Sequence, residues 1–358
     1  MFKRILVPLD GSVRAERAIS MAARVARAYQ SSVVLLQVVE DIRKYGMYIP
    51  QYPFSARQEF EADMMAEATS YLEGITQCSE LVGLTTETKA FSGLAASTIL
   101  DVAQSHAIDL IVLCSRGRTG IKRWMLGSVA QKVVRYSPVP VLVLREDEAL
   151  LVDSSPAFPL PLHALVALDE SALARTVLAP TANLISALAA PAQGILHLVY
   201  VEQPGTSQSE AVQFSERGGQ QQEEARVSNH LLQMREYLRA VKDQFCNDPG
   251  AALHLSVTCS VIVHEDVAEA LIRFAEEGDG VEDAEVFGGC DLIAMATHGR
   301  GGLQRWAMGS ITERVLGSTR LPLFIVRPQE TAVQEQSQGE EEELSLLNPP
   351  ERERKPYR

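Results

Sequence analysis

Apolar and polar positions follow one another along this chain in blocks typical of alternating β-strands and α-helices. The near-continuous apolar run at 32–39 predicts a strand that is buried on both faces. Over the first 146 residues the pattern predicts strands at 4–9, 32–39, 84–91, 109–114 and 139–145, and helices at 13–29, 57–82, 94–106 and 128–136. This order indicates an α/β fold, in which a parallel sheet is covered by helices on both faces.

The second half of the chain repeats the first. RILVPLDGS at 4–12 returns 159 residues later as HALVALDES. DLIVLCSRGRTGIKRWMLGS at 109–128 returns 182 residues later as DLIAMATHGRGGLQRWAMGS. VPVLVLRE at 139–146 matches LPLFIVRP at 321–328 with that same second offset. Because the matches keep their order along both halves, they indicate duplication of one unit.

We therefore predict two tandem, doubly wound, mainly parallel five-stranded sheets flanked by helices. Copy one spans 1–146 and copy two spans 163–328, with a linker at 147–162. The growth in offset reflects extra residues in copy two, and a polar stretch at about 203–224 is predicted to be a mobile loop. The acidic and charged tail at 329–358 is predicted to be disordered.

Composition and charge narrow the function. The chain has 46 acidic and 33 basic residues and a formal net charge of −13, which argues against a broadly basic surface for nucleic acid. The five cysteines include no C-x-x-C pair, so neither a disulfide framework nor a zinc site is expected. The sequence contains no uninterrupted run of 18 apolar residues, and we expect no membrane span and a cytoplasmic location.

Three segments of each copy are predicted to meet beyond the carboxyl ends of the strands, where open parallel sheets bind ligands. The first is the turn after the first strand, with Asp10 in copy one and Asp169 in copy two. The second is the end of the second strand, near Val38 and Tyr200. The third is the loop that follows the fourth strand.

That loop carries the chemistry that suits a phosphate. It contains Gly117 and Gly127-Ser128 in copy one, and Gly299 and Gly309-Ser310 in copy two. Glycines let backbone amides approach a polyphosphate closely, and a helix N-terminus offers unpaired N–H donors. An alternative is that Ser128 and Ser310 only cap their helices, because Gln131 and Glu313 complete a capping-box pattern.

These loops resemble the nucleotide-binding signature of the universal stress protein family, G-x2-G-x9-G-[S/T]. The resemblance covers about 1–146 and 163–328, and it implies the adenine-nucleotide alpha-hydrolase-like fold. The later glycines and the serine match in both copies. The first glycine is replaced by Cys114 in copy one and by Ala296 in copy two.

The resemblance implies that ATP, ADP or AMP binds, with or without Mg²⁺, and that each aspartate lies near the ribose. It implies that the backbone of Val38 meets the adenine edge, with Tyr200 as its counterpart, and that Leu113 and Met295 form an apolar wall. The predicted contacts are Pro8, Asp10, Val38, Leu113, Cys114, Gly117, Gly127, Ser128 and Val129 in copy one, and Asp169, Tyr200, Met295, Ala296, Gly299, Gly309, Ser310 and Ile311 in copy two. Alternatively, the aspartates only cap helices and the apolar residues are ordinary core.

The resemblance also implies how the last strands are used. In the family they pair across a dimer. Apolar strands such as VPVLVLRE and LPLFIVRP promote aggregation when they are exposed at the edge of a sheet. We predict that the two copies pair with each other as an intramolecular pseudo-dimer. A homodimer of whole chains is a further hypothesis.

The expected function is that of a nucleotide-binding stress-response or signalling protein, acting through ligand-dependent conformation or partner binding. The alternatives are a nucleotide-free interaction hub of the same fold and a weak ATPase. No Walker phosphate loop, paired-histidine metal motif or Ser/His/Asp set is readable in the sequence. We therefore expect no catalytic or metal-binding residue, and slow ATP hydrolysis as the upper limit of activity.

Overall fold

The computed structural model describes residues 2–40, 54–115, 126–145, 161–204, 219–247, 255–278, 289–299 and 308–328. The predicted tail, almost all of the predicted linker and most of the predicted polar loop lie outside these ranges.

Copy one alternates strands and helices as the hydrophobic pattern predicts. Its elements are β1 Arg4–Leu9, α1 Val13–Tyr29, β2 Ser32–Glu40, α2 Phe54–Ile75, β3 Thr86–Gly93, α3 Ala95–Ser105, β4 Leu110–Cys114, α4 Ser128–Tyr136 and β5 Val141–Leu144. Ser12 caps α1, because its hydroxyl accepts a hydrogen bond from the Ala15 amide at 3.2 Å. The second helix ends earlier than predicted, and a short 3₁₀ helix follows at Ser79–Leu81.

Copy two repeats the order with one helix divided in two. Its elements are β6 Leu162–Leu168, α5 Ala172–Arg175, α6 Leu178–Ala189, β7 Gly194–Glu202, α7 Gly219–Asn247, β8 Leu255–Val263, α8 Val267–Glu277, β9 Leu292–Ala296, α9 Ser310–Ser318 and β10 Leu323–Val326. Because α7 already begins at Gly219, the prediction of a loop through residue 224 was wrong at its end.

The two copies form one continuous sheet. Its strand order is β3-β2-β1-β4-β5-β10-β9-β6-β7-β8. Every neighbouring pair within a copy is parallel, whereas β5 and β10 run antiparallel with Phe324 opposite Leu142. This seam confirms the predicted intramolecular pairing. The prediction of two five-stranded sheets becomes a single ten-stranded sheet, because the last strand of each copy finds its missing neighbour in the other.

Contacts away from the seam also join the copies. Helix α1 packs against α6, and the hydroxyl of Tyr29 donates a hydrogen bond to the carbonyl of Asn183 at 2.7 Å. Arg135 of α4 pairs with Glu313 of α9 at 3.1 Å. One apolar core layer contains fully buried residues of both copies, among them Leu142 and Phe324. The copies therefore share packing and not only a strand edge.

One segment has the length and apolarity of a membrane span. It covers Ala172–Ala189, with a mean hydropathy of 1.3 over 18 residues, and 56% of it is buried inside the fold. Most of it is α6, which packs against β6 and β7. Core helices of globular proteins share these properties, so this segment is weak evidence for a membrane.

Candidate functional site

The turn after the first strand is built identically in both copies. The Oδ1 atom of Asp10 accepts hydrogen bonds from the amide and hydroxyl of Ser12 at 3.1 and 2.6 Å. Asp169 receives the same pair of hydrogen bonds from Ser171 at 3.1 and 2.5 Å. The serines, in turn, cap the following helices. The alternative in which the aspartates cap these helices is therefore wrong, because the aspartates order the turn through the serine that does.

The loop after the fourth strand of each copy returns to the end of that strand. The amide of Gly127 donates to the carbonyl of Ser115, and the amide of Gly309 donates to the carbonyl of Thr297, both at 2.8 Å. Each bond holds the start of the next helix, α4 or α9, beside the carboxyl edge of the sheet. This is the edge at which the sequence predicted a ligand.

Glycine, and not serine, occupies the N-cap of both helices. Gly127 and Gly309 have the extended backbone of a cap, and neither helix has a side-chain cap hydrogen bond. Ser128 and Ser310 are the first helical residues and are exposed. The capping-box alternative, in which the serines are the N-caps, is therefore wrong, because the cap lies one residue earlier, at the glycine. A helix start without a side-chain cap leaves N–H donors available to an anion.

In copy two the structure brings the first and third predicted segments together. A methyl group added at Gly299 would overlap the carboxylate of Asp169, so the loop backbone lies directly against that side chain. A Cβ atom at this position would force the Asp169 side chain or the loop backbone to shift. In copy one the corresponding Gly117 lies outside the described residues, as do the basic residues at 116, 118, 122, 123, 300 and 305.

The two residues that replace the first glycine lie in different surroundings. The thiol of Cys114 donates to the carbonyl of Arg14, 2.9 Å away in the first turn of α1. Ala296 is buried, and its carbonyl accepts from the hydroxyl of Thr312 at 3.0 Å. The first turn of α1 therefore lies against the end of β4, which places that turn at the candidate site.

The predicted apolar wall lies in one core layer. Val38, Leu113, Val129 and Met295 all contribute to the layer on the same face of the sheet. Leu113 and Met295 are each 4% exposed, so nearly all of their surface packs in the core, as the alternative interpretation predicts. Pro8 is half-buried in β1, and Ile311 is exposed in the first turn of α9.

Strand register corrects the position of Tyr200. Leu9 lies opposite Gln37, and the equivalent Leu168 lies opposite Tyr200. Tyr200 is therefore the counterpart of Gln37, and Val201 is the counterpart of Val38. Spacing from the acidic ends of the strands misplaced this residue by one, which in a strand moves it to the other face of the sheet.

Tyr200 belongs to a polar cluster that the sequence did not predict. Burial raises its pKa, with further contributions from Glu202 and Asp169. Glu202 is 6% exposed, and Nε2 of His230, on α7, lies 3.0 Å from its carboxylate. Tyr237, also on α7, has its pKa raised by burial to about 12. No motif marks these residues; the one available signal was a tyrosine in the helix between the second and third strands of each copy.

The family model of the universal stress protein family matches residues 1–145 and 162–327. The universal stress protein YxiE of Bacillus subtilis is 32% identical over 151 residues, which cover 40% of this chain and 100% of that protein. The universal stress protein Mb2028c of Mycobacterium bovis is 24% identical over 339 residues, covering 90% of this chain and 96% of that protein.

A solved structure shares the architecture across both copies. The universal stress protein from Archaeoglobus fulgidus superposes with a TM-score of 0.59 at 18% identity, covering 90% of this chain and 98% of that one. At this identity the likeness supports the fold alone. The arrangement of two copies in one chain is therefore also found in this solved structure and in the mycobacterial relative.

Proposed function

Because this chain belongs to the universal stress protein family, we propose that it is a stress-response protein that binds an adenine nucleotide at the carboxyl edge of its sheet. Binding acts through the shape of the chain or its choice of partners, and not through efficient catalysis. The observation that carries the proposal is the contact between the Gly299 backbone and the Asp169 carboxylate, beside the glycine-capped start of α9.

Each part of this arrangement suits a different part of a nucleotide. The start of α9 offers backbone N–H donors and the positive end of the helix dipole, both of which favour a phosphate. The hydroxyl of Ser310, exposed at that helix start, can donate a further hydrogen bond. A carboxylate such as that of Asp169 accepts hydrogen bonds from ribose hydroxyls. Copy one has the same capped helix and the same aspartate turn, formed by Gly127, Ser128 and Asp10.

Replacing Gly299 with alanine tests the proposal in copy two. The added methyl group would overlap the Asp169 carboxylate, so either this side chain or the loop must shift, and both changes alter the proposed ligand contacts. We expect affinity for ATP in copy two to fall by about tenfold or more, since a loss of 1.4 kcal/mol is already tenfold. Calorimetric titration of the full chain with ATP, with and without Mg²⁺, measures the change.

Gly317→Ala is the matched control, because a methyl group there meets no atom within 4 Å on α9. It should leave ATP binding unchanged. Mass spectrometry of ligand released from the purified protein provides an independent measurement. Wild-type protein that releases no nucleotide and binds neither ATP, ADP nor AMP below the millimolar range would contradict the proposal.

A further inference from the structure

A cleft lies where the two copies pack helix against helix. Its volume is about 290 Å³, and residues of both copies line it: Arg24, Arg27 and Ala28 of α1, and Ala187 and Ala190 at the end of α6. The offset of 159 residues that relates the first strands of the copies also aligns Ala28 with Ala187. Because α1 begins at the carboxyl edge of the sheet, the cleft at its last turns lies roughly 18 Å along the helix from that edge.

The two arginines of the cleft lie on one stripe of α1. Residues three apart on a helix are neighbours on its surface, so the side chains of Arg24 and Arg27 can reach one ligand. Arg24 is half-buried, and burial lowers its pKa, because a buried charge loses hydration. Arg27 is exposed, and its guanidinium donates to the carbonyl of Glu80 at 2.5 Å. That acceptor is uncharged, and a guanidinium has five N–H donors, so this bond orients Arg27 and leaves it able to bind an anion.

The cleft is a positive region of an acidic chain. Helix α1 carries four arginines and one glutamate, whereas the whole chain has a formal net charge of −13. Helix α6 has no charged residue, so the wall opposite the arginines contributes no carboxylate. The short 3₁₀ helix at Ser79–Leu81 packs against α1 and contributes Glu80, whose carboxylate accepts a hydrogen bond from the Ser79 hydroxyl at 2.9 Å. Against that one carboxylate stand both guanidinium groups of the cleft.

The size and the walls of the cleft limit the ligand. Pockets for drug-sized ligands have volumes of about 300–1,000 Å³, so this cleft suits a ligand smaller than a nucleotide. Guanidinium groups bind phosphate oxygens through paired, charge-assisted hydrogen bonds. The three alanines leave room for an anion between the helices and offer apolar contacts to a small group attached to it.

We propose that the cleft between α1 and α6 binds a phosphate group, either as the free ion or at the end of a small phosphate ester, and that this ligand ties the two copies together. The phosphate lies between residues of both copies, so it binds only when α1 and α6 are packed. A ligand that binds only the folded arrangement raises its stability by mass action. The inference does not depend on the nucleotide proposed at the carboxyl edge.

The experiment titrates the full chain with inorganic phosphate and with glycerol 3-phosphate by calorimetry, with chloride adjusted to keep the ionic strength constant. Arg24→Gln and Arg27→Gln should each lower phosphate affinity by about tenfold, because each removes a charged hydrogen-bond donor. Arg24→Lys keeps the charge but loses the planar fork, so its affinity should lie between those of the wild type and Arg24→Gln. Arg235→Gln removes an exposed arginine of α7 and should leave binding unchanged.

Thermal unfolding gives a second measurement. Phosphate should raise the midpoint of unfolding of the wild type and of Arg235→Gln, and the double variant Arg24→Gln/Arg27→Gln should lose this rise. Because the rise is measured within each variant, a change in basal stability does not mimic it. Tighter binding of glycerol 3-phosphate than of phosphate would identify an ester as the ligand, and the reverse would identify the free ion. Equal phosphate affinity in the wild type and the double variant, or no binding by the wild type, would overturn the inference.

Discussion

Replacing Phe324 with alanine is expected to lower the free energy of unfolding of the whole chain by about 3–5 kcal/mol, the range measured for buried phenylalanines truncated to alanine. Phe324 lies in β10, is fully buried, and pairs with Leu142 across the seam between the copies. The loss combines the transfer energy of the ring with the cavity left between two packed layers.

The position of Phe324 also predicts the number of unfolding transitions that the variant shows. Its core layer includes buried residues of both copies, and α1 of copy one packs on α6 of copy two. We therefore expect one unfolding transition that moves as a unit, and not the loss of copy two alone.

Urea unfolding followed by circular dichroism and by tryptophan fluorescence measures this effect. Phe60→Ala is the matched control, because that ring lies on α2 and is 50% exposed. It should change stability little, as surface substitutions do. Two separate transitions, of which only one responds to Phe324→Ala, would mean that the copies are independent despite the shared sheet.

Acidification from pH 8 to pH 5 is expected to cost the fold about 2 kcal/mol through one histidine, His197 on β7. His197 is 2% exposed, and its ring nitrogens are hydrogen-bonded with the hydroxyls of Thr258 and Ser260, the latter at 2.9 Å. Its ring stacks on Phe274 with centroids 5.0 Å apart. Burial lowers its pKa from the ordinary 6.5 to about 4, with a smaller contribution from His163.

The sign of this pH effect follows from whether the folded or the unfolded chain binds the proton. Below pH 6.5 the unfolded chain takes up a proton at His197, whereas the folded chain stays neutral until about pH 4. The stability that the neutral ring contributes is therefore complete above pH 6.5 and is lost as the pH falls through this window.

His197→Gln should flatten this part of the pH profile, because glutamine does not titrate. His106→Gln, at the end of α3 beside Ser105, is the control and should leave the profile as in the wild type. The measurement is the free energy of unfolding of the wild type and of both variants at pH 5, 6, 7 and 8. Equal slopes in the wild type and His197→Gln would show that the ring is not neutral in the fold.

Sequence reasoning predicted the turns and helix starts of the candidate site because glycine and aspartate have few alternatives at a turn. The repeated Gly127-Ser128 and Gly309-Ser310 marked the helix starts correctly. The capping role was assigned to the wrong residue, since a capping-box pattern cannot distinguish a serine at the N-cap from one at the first helical position. The register error at Tyr200 has a similar cause, because the end of a strand does not fix which residue it pairs with.

The sequence by itself determined the duplication and the α/β class, and it predicted the edge of the sheet for a ligand, because these follow from periodicity and from local turn chemistry. Only the tertiary structure joined the copies into a ten-stranded sheet and placed α7 over the end of β7. It also brought Tyr71 to Glu16 and Tyr29 to Asn183. These pairs are separated by more than fifty residues, and their contacts depend on how helices pack across strands, which no local pattern records.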